Sequence, residues 1–154
     1  MLMTTEELEK KLAHVVAKVE KEEQISAFYL FGSYATKRPR PTSDVDLAVL
    51  LVENLYRNAV LEQRLSLMAE IALILGTDNL DLIILNEAPA SLAFRVLKEG
   101  RLLYLKKGAE QQLVRFKAQI YDRYCDYLPV QRFFSAALAK RIEEGIFGGR
   151  PGKN

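Results

Sequence analysis

Phe31-Gly32-Ser33-Tyr34-Ala35 and, with ten residues between Ser33 and Asp44, Asp44-Val45-Asp46-Leu47 decide how this chain is read. The first segment closes a run rich in β-formers, Ile25 to Phe31, and predicts a strand that stops at the glycine. Tyr34 to Ser43 is polar and carries Pro39 and Pro41, so it holds at most one helical turn and then a loop. Val45 to Val52 is almost continuously apolar and predicts a buried strand. Asp44 and Asp46, two residues apart at the start of that strand, place their carboxylates on the same face. Like charges held this close repel, and each resists desolvation. A cation between them removes the conflict, and hard oxygen ligands suit Mg²⁺.

Working outward, Leu80 to Leu85 predicts a further strand, interrupted only by Asp81. An acid inside an apolar run is costly unless paired or bound to a metal. If the two strands are neighbours, Asp44, Asp46 and Asp81 converge, and three carboxylates can hold two Mg²⁺ ions about 3.5–4 Å apart, the separation used in phosphoryl displacement. A glycine at a strand end lets the backbone approach a phosphate, and the amides after Gly32, with the Ser33 hydroxyl, can form an anion-binding nest. Such a grip beside a two-metal site describes a nucleotidyl-transfer centre.

The rest of the chain supplies a frame. Thr4 begins a capping-box pattern with Glu7, and Leu8, Leu12, Val15, Val16 and Val19 recur at helical spacing, which predicts a helix from about Thr5 to Glu22. A second helix is predicted over Leu55 to Leu75, with Leu61, Leu65, Met68, Ala72 and Leu75 as its apolar face and Gly76 beyond its end. Pro89 to Lys98 predicts a short helix and Leu102 to Leu105 a short strand. A long helical region, Glu110 to Glu144, is expected to break near Pro129, and residues 145–154 are expected to be a flexible tail. The expected fold is α/β (α+β): a short mixed β-sheet flanked by helices. Residues 1–108 would form the core, and 109–144 a C-terminal helical extension of the same domain.

Composition narrows the function. With 154 residues, one core is expected. Basic and acidic side chains number 22 and 20, too even a balance to announce a nucleic-acid binder. One cysteine, Cys125, and one histidine, His14, exclude an internal disulfide and a Cys/His metal site. No signal-peptide pattern and no apolar stretch long enough to span a membrane is visible, so a cytoplasmic location is expected.

Gly32-Ser33, ten residues, and Asp44-x-Asp46 resemble the signature of the DNA polymerase β-like nucleotidyltransferase superfamily. Ser43-Asp44-Val45-Asp46-Leu47-Ala48-Val49, Leu80-Asp81-Leu82-Ile83 and Leu97-Lys98-Glu99-Gly100-Arg101-Leu102-Leu103-Tyr104 are similar to its minimal nucleotidyltransferase (MNT) branch. The resemblance covers Leu30 to Tyr104 and extends more loosely over Phe116 to Leu128. It departs at Lys37, where many members carry glycine. It implies a nucleotidyltransferase fold in which Asp44 and Asp46 bind metals and triphosphate. Asp81 would bind one metal and help deprotonate the acceptor, and Gly32 and Ser33 would hold phosphate. Many MNT proteins are antitoxins paired with a HEPN-type ribonuclease toxin, and some transfer AMP from ATP to a tyrosine of that partner. Mg²⁺ (two ions), ATP and a HEPN toxin are thus the implied cofactors and partner.

Each residue also has a plainer reading. Asp44 alone is a turn cap, Asp81 alone a strand-end acid facing water, and Gly32-Ser33 alone a turn; their coincidence argues for a site. Lys37 and Arg38, with Arg40, either contact the triphosphate or form a solvated loop. His14 reads as a surface or helix-packing residue and Cys125 as a small packed one. Tyr121, Tyr124 and Tyr127 form a stripe that either joins the core or meets a partner, as does the face Phe133, Phe134, Ala137, Leu138 and Ile142. Three functions remain open: a nucleotidyltransferase antitoxin that AMPylates a HEPN toxin, a non-catalytic antitoxin acting by contact, and a small-molecule (antibiotic-type) nucleotidyltransferase.

Overall fold

Every residue of Ile25–Phe31 is buried, and this strand, β1, lies inside the sheet as its apolar composition requires. The computed structural model describes residues 3–53, 55 and 57–143. The elements are α1 (Thr5–Val19), β1 (Ile25–Phe31), α2 (Gly32–Ala35), β2 (Val45–Leu51), α3 (Arg57–Leu75), β3 (Leu80–Ile84), α4 (Ala90–Glu99), β4 (Arg101–Leu105) and α5 (Glu110–Glu143). A single 3₁₀ turn, Leu85–Glu87, follows β3.

The four strands lie in the order β3-β2-β1-β4. β1 pairs antiparallel with both β2 and β4, while β2 and β3 run parallel. The sheet is therefore mixed, as expected. Alternation along the strands separates two cores. Phe28, Leu30, Leu47, Val49 and Leu82 face α1 and α3, whose Leu8, Leu12, Val15, Leu67 and Ile71 cover them. Ala27, Tyr29, Phe31, Ala48 and Leu50 face α4 and α5, which contribute Ala93, Val96, Leu113 and Ile120. Burying one such large side chain is worth about 1.5–3 kcal/mol, so β1 and β2, covered on both faces, anchor the fold.

Local chemistry fixes several ends. The Thr4 hydroxyl accepts from the Glu7 amide at 3.1 Å and the Glu7 carboxylate accepts from the Thr4 amide at 3.0 Å, a complete capping box. Gly76 takes φ +68° beyond α3, the left-handed stop that glycine allows. Lys11 donates to the Leu75 carbonyl at 2.8 Å and closes the same helix end.

Some expectations need correction. The buried face of α3 is Val60, Leu67, Ile71 and Leu75, whereas Leu61 and Leu65 are more than half exposed. Leu61-Glu62-Gln63-Arg64-Leu65-Ser66-Leu67-Met68-Ala69 and the residues after it are apolar on most sides, so periodicity alone does not set the phase. α5 runs unbroken through Pro129. Proline's φ is helical, and the amide bond it removes belongs to the carbonyl of exposed Cys125, where water can serve. Cys125 is thus not a packed residue. Tyr121 and Tyr124 pack against Phe94 of α4, at ring centroid distances of 5.4 and 3.9 Å, although Tyr121 stays 42% exposed. The tail, 145–154, lies outside the described residues.

Candidate active site

β1 and β2 are the arms of a hairpin whose connection, residues 32–44, carries the glycine–serine pair at one end and the first acid at the other. The pairing sets Phe31 opposite Asp46, so Gly32 lies next to the Asp46 carboxylate. Gly32 has φ +72°, and a Cβ placed there would strike Asp46: its Cγ would lie 2.9 Å away and its Oδ2 closer still. Glycine is required twice, for the left-handed turn and for the space. Within the connection, Thr36 and Arg38 donate backbone N–H groups to the Gly32 and Ser33 carbonyls at 3.2 and 2.9 Å. Ser43 folds the chain back, its Oγ accepting from the Arg40 amide at 2.6 Å and its own amide donating to the Arg40 carbonyl at 2.9 Å.

Asp46 is the one residue of β2 that is not fully buried. Asp81 is the exposed residue of β3, between buried Leu80 and Leu82. The parallel register makes Asp46 and Asp81 direct partners, on the face that carries α4 and α5. Strand spacing then separates their Cα atoms by only about 5 Å. Asp44 is exposed and stands one residue ahead of β2 rather than within it. It is still close enough to act on Asp46. Burial, then the charges of Asp81 and Asp44, push the Asp46 carboxyl above the ordinary carboxylate range, with Arg95 pulling the other way.

A cleft of about 460 Å³ surrounds Asp46 and Asp81, also lined by Gly32, Thr36, Arg95 and Glu99. That volume lies within the roughly 300–1,000 Å³ of small-molecule sites. Gly32, Asp46 and Asp81 are thus brought together and Asp44 lies within electrostatic reach. Ser33 is half-buried beside the cleft, and Lys37 and Arg38 are exposed on the connection without lining it. Lys37 adopts φ +58°, the left-handed region in which glycine is unstrained.

Three participants escaped the sequence reading. Arg95 and Glu99 enter the cleft from α4, but an exposed charge on a short amphipathic helix carries no distinguishing mark. Arg64 reaches Asp81 from α3, its terminal nitrogen 3.6 Å from Asp81 Oδ1. α3 also carries Arg57, Glu62 and Glu70, so nothing in its sequence singled Arg64 out.

Among the described residues no group of three His, Cys, Asp or Glu side chains forms a ready metal cage. The donor set nevertheless fits Mg²⁺, which is bound through one or two carboxylates while substrate phosphates and water supply the remaining oxygens. Asp46 and Asp81 are such a pair, and their mutual repulsion is what a divalent cation relieves. The N-cap residue Phe31 makes no side-chain hydrogen bond to the first turn of α2, so a phosphate could take that turn's amides.

A family model described as polymerase beta, nucleotidyltransferase matches residues 11–109. No curated protein matches the chain. Among solved structures, the chain is similar to one from a toxin–antitoxin complex with AMP-PNP, with 24% identity, TM-score 0.64, and coverage of 84% of this chain and 98% of that one. It is also similar to a chain from the tri-AMPylated Shewanella oneidensis HEPN toxin in complex with MNT antitoxin, at 23% identity and TM-score 0.60, covering 88% and 99%. A chain of the MntA–HepT toxin–antitoxin structure matches at 24% identity and TM-score 0.57, covering 84% and 96%. These likenesses establish the shared fold.

Proposed function

Because the chain belongs to the polymerase beta nucleotidyltransferase family, we propose that it transfers AMP from ATP, with Mg²⁺, to a tyrosine hydroxyl of a partner HEPN ribonuclease toxin, and so acts as an antitoxin. The observation that carries this reading is the register of Asp46 and Asp81 on adjacent parallel strands, with Gly32 placed against Asp46. The named relatives, structures of toxin–antitoxin complexes, one with AMP-PNP and one with an AMPylated toxin, support the donor and the partner.

Asp44, Asp46 and Asp81 would hold Mg²⁺, which neutralises the triphosphate and polarises the phosphorus under attack. The Gly32 backbone and Ser33 orient the phosphates, and Arg95, across the cleft, adds positive charge beside Asp46. The acceptor oxygen bonds to the α-phosphorus as the bond to the β-phosphate oxygen breaks. Pyrophosphate leaves and the hydroxyl proton passes to Asp81 or to solvent. Lys37 and Arg38, exposed on the connection between the two motif halves, would meet either the outer phosphates or the partner surface.

Contact with the partner contributes as well. Leu138 and Ile142 on the far part of α5 are about half exposed, and this extension offers an apolar surface for binding. Incubation with labelled ATP, Mg²⁺ and a candidate HEPN partner, followed by mass spectrometry of both chains, tests the proposal. One AMP or more on a partner tyrosine, abolished by Asp46→Asn, is the expected result. Toxin neutralisation without any modification would leave the contact-only antitoxin.

A further inference from the structure

Asp81 has a cationic partner that the nucleotidyl-transfer reading does not use. β3 is an edge strand, so among the described residues one side of it has no neighbouring strand. Arg64, from α3, covers that side: its Nε donates to the Leu82 carbonyl at 2.6 Å. From there its terminal nitrogen reaches Asp81 Oδ1 at 3.6 Å, an ion pair rather than a close hydrogen bond. The side chains are 35% and 52% exposed, so the pair is partly solvated but its guanidinium is tethered. Arg64 also borders a second groove of about 490 Å³, which shares Ile83 and Leu92 with the carboxylate cleft.

We infer that Arg64 is a positioning residue for Asp81: it binds the β3 edge through Nε and sets its charge beside one carboxylate oxygen, leaving the second oxygen for the divalent cation. The inference rests on the reading of Asp81 as a metal-site residue. Its charge and its fork do different work. As a positive charge, Arg64 opposes a cation at Asp81 and offsets the crowding by Asp46. As a planar fork anchored on the Leu82 carbonyl, it keeps its charge at one defined place beside the carboxylate, which a lysine cannot do because one ammonium cannot serve both the carbonyl and the carboxylate with defined geometry.

The test uses the full-length chain and Mn²⁺, a paramagnetic substitute for Mg²⁺ whose binding is read by electron paramagnetic resonance without any turnover. Arg64→Gln should bind Mn²⁺ about five-fold more tightly, a change of roughly 1 kcal/mol, consistent with a half-exposed pair. The gain should vanish in the Asp81→Asn background, because the competing charge then has nothing to compete for. Arg64→Lys should keep near-normal Mn²⁺ affinity. Both variants should lower kcat for transfer to the partner about ten-fold or more with little change in the KM for ATP. Arg64→Met, which keeps the apolar stem, replaces Arg64→Gln if that variant does not fold. Unchanged Mn²⁺ affinity in Arg64→Gln, or full kcat in Arg64→Lys, overturns the inference. Mn²⁺ binding that responds to Arg64 and Asp81 in a protein that transfers no nucleotide would uphold it while refuting the functional reading. Absence of Mn²⁺ binding by the unaltered chain overturns both.

Discussion

Replacing Asp46 by asparagine removes one of two carboxylates whose backbones are register partners. Unit charges about 5 Å apart repel by about 3 kcal/mol at an effective dielectric of 20. Asp81 is half exposed, and solvent screening reduces the net effect to about 1 kcal/mol. Burial of the ionised group adds in the same direction. The pH dependence follows from the raised pKa of Asp46. In the unfolded chain the carboxyl ionises near the usual value of about 3.9; in the fold it ionises at higher pH. Between the two values the native state holds the extra proton, so stability falls as pH rises through that window and the cost is complete above it. In EDTA at pH 8, Asp46→Asn should therefore melt about 2–4 °C above the unaltered protein, the shift that about 1 kcal/mol gives a chain of this size. The gap should close as pH falls below the unfolded value. The chain has no tryptophan, so calorimetry or far-ultraviolet circular dichroism is the suitable readout. Mg²⁺ with a non-hydrolysable ATP analogue should stabilise the unaltered protein and not the variant, which reverses the order. A variant that melts several degrees lower in EDTA would show that Asp46 holds the fold together and would refute the electrostatic account.

Three further outcomes follow from the same geometry. Gly32→Ala places a methyl group against the Asp46 carboxylate at a left-handed φ; it should cost about 2 kcal/mol or more and abolish ATP-analogue binding, checked by melting and by titration calorimetry. Lys37→Gly, at φ +58°, should leave stability equal or raise it by up to about 1 kcal/mol, whereas a β-branched residue there should lower the melting temperature. Deletion of residues 129–154 should change the melting temperature by at most a few degrees, because the described side chains from 129 onward are exposed; it should weaken transfer to the protein partner far more than ATP binding, and equal losses in both would show that this segment only supports the fold.

The amino-acid sequence by itself determined the strands, because β1 and β2 are apolar at every position but Ser26 and Asp46, and β1 stops at Gly32 while β2 starts just after Asp44. It also determined Asp46 as an anomaly, since a carboxylate inside such a run has few structural uses, and it showed the capping box of α1 in four adjacent letters. Where a helix is apolar on most sides, as α3 is, spacing left its phase open, and only packing chose Val60 and Leu67 over Leu61 and Leu65. Proline looked like a break in α5 because propensity ignores whether water can take the freed carbonyl. The convergence of Asp81 with Asp46 depended on which strands are neighbours and in what register, a long-range choice that no local pattern encodes. Arg95 and Glu99 line the cleft, and Arg64 reaches Asp81, for the same reason: α4 and α3 carry them there only once both helices have packed on the sheet. Local chemistry is written in neighbouring residues, whereas the electrostatics of a site depends on distances that exist only after the chain has folded.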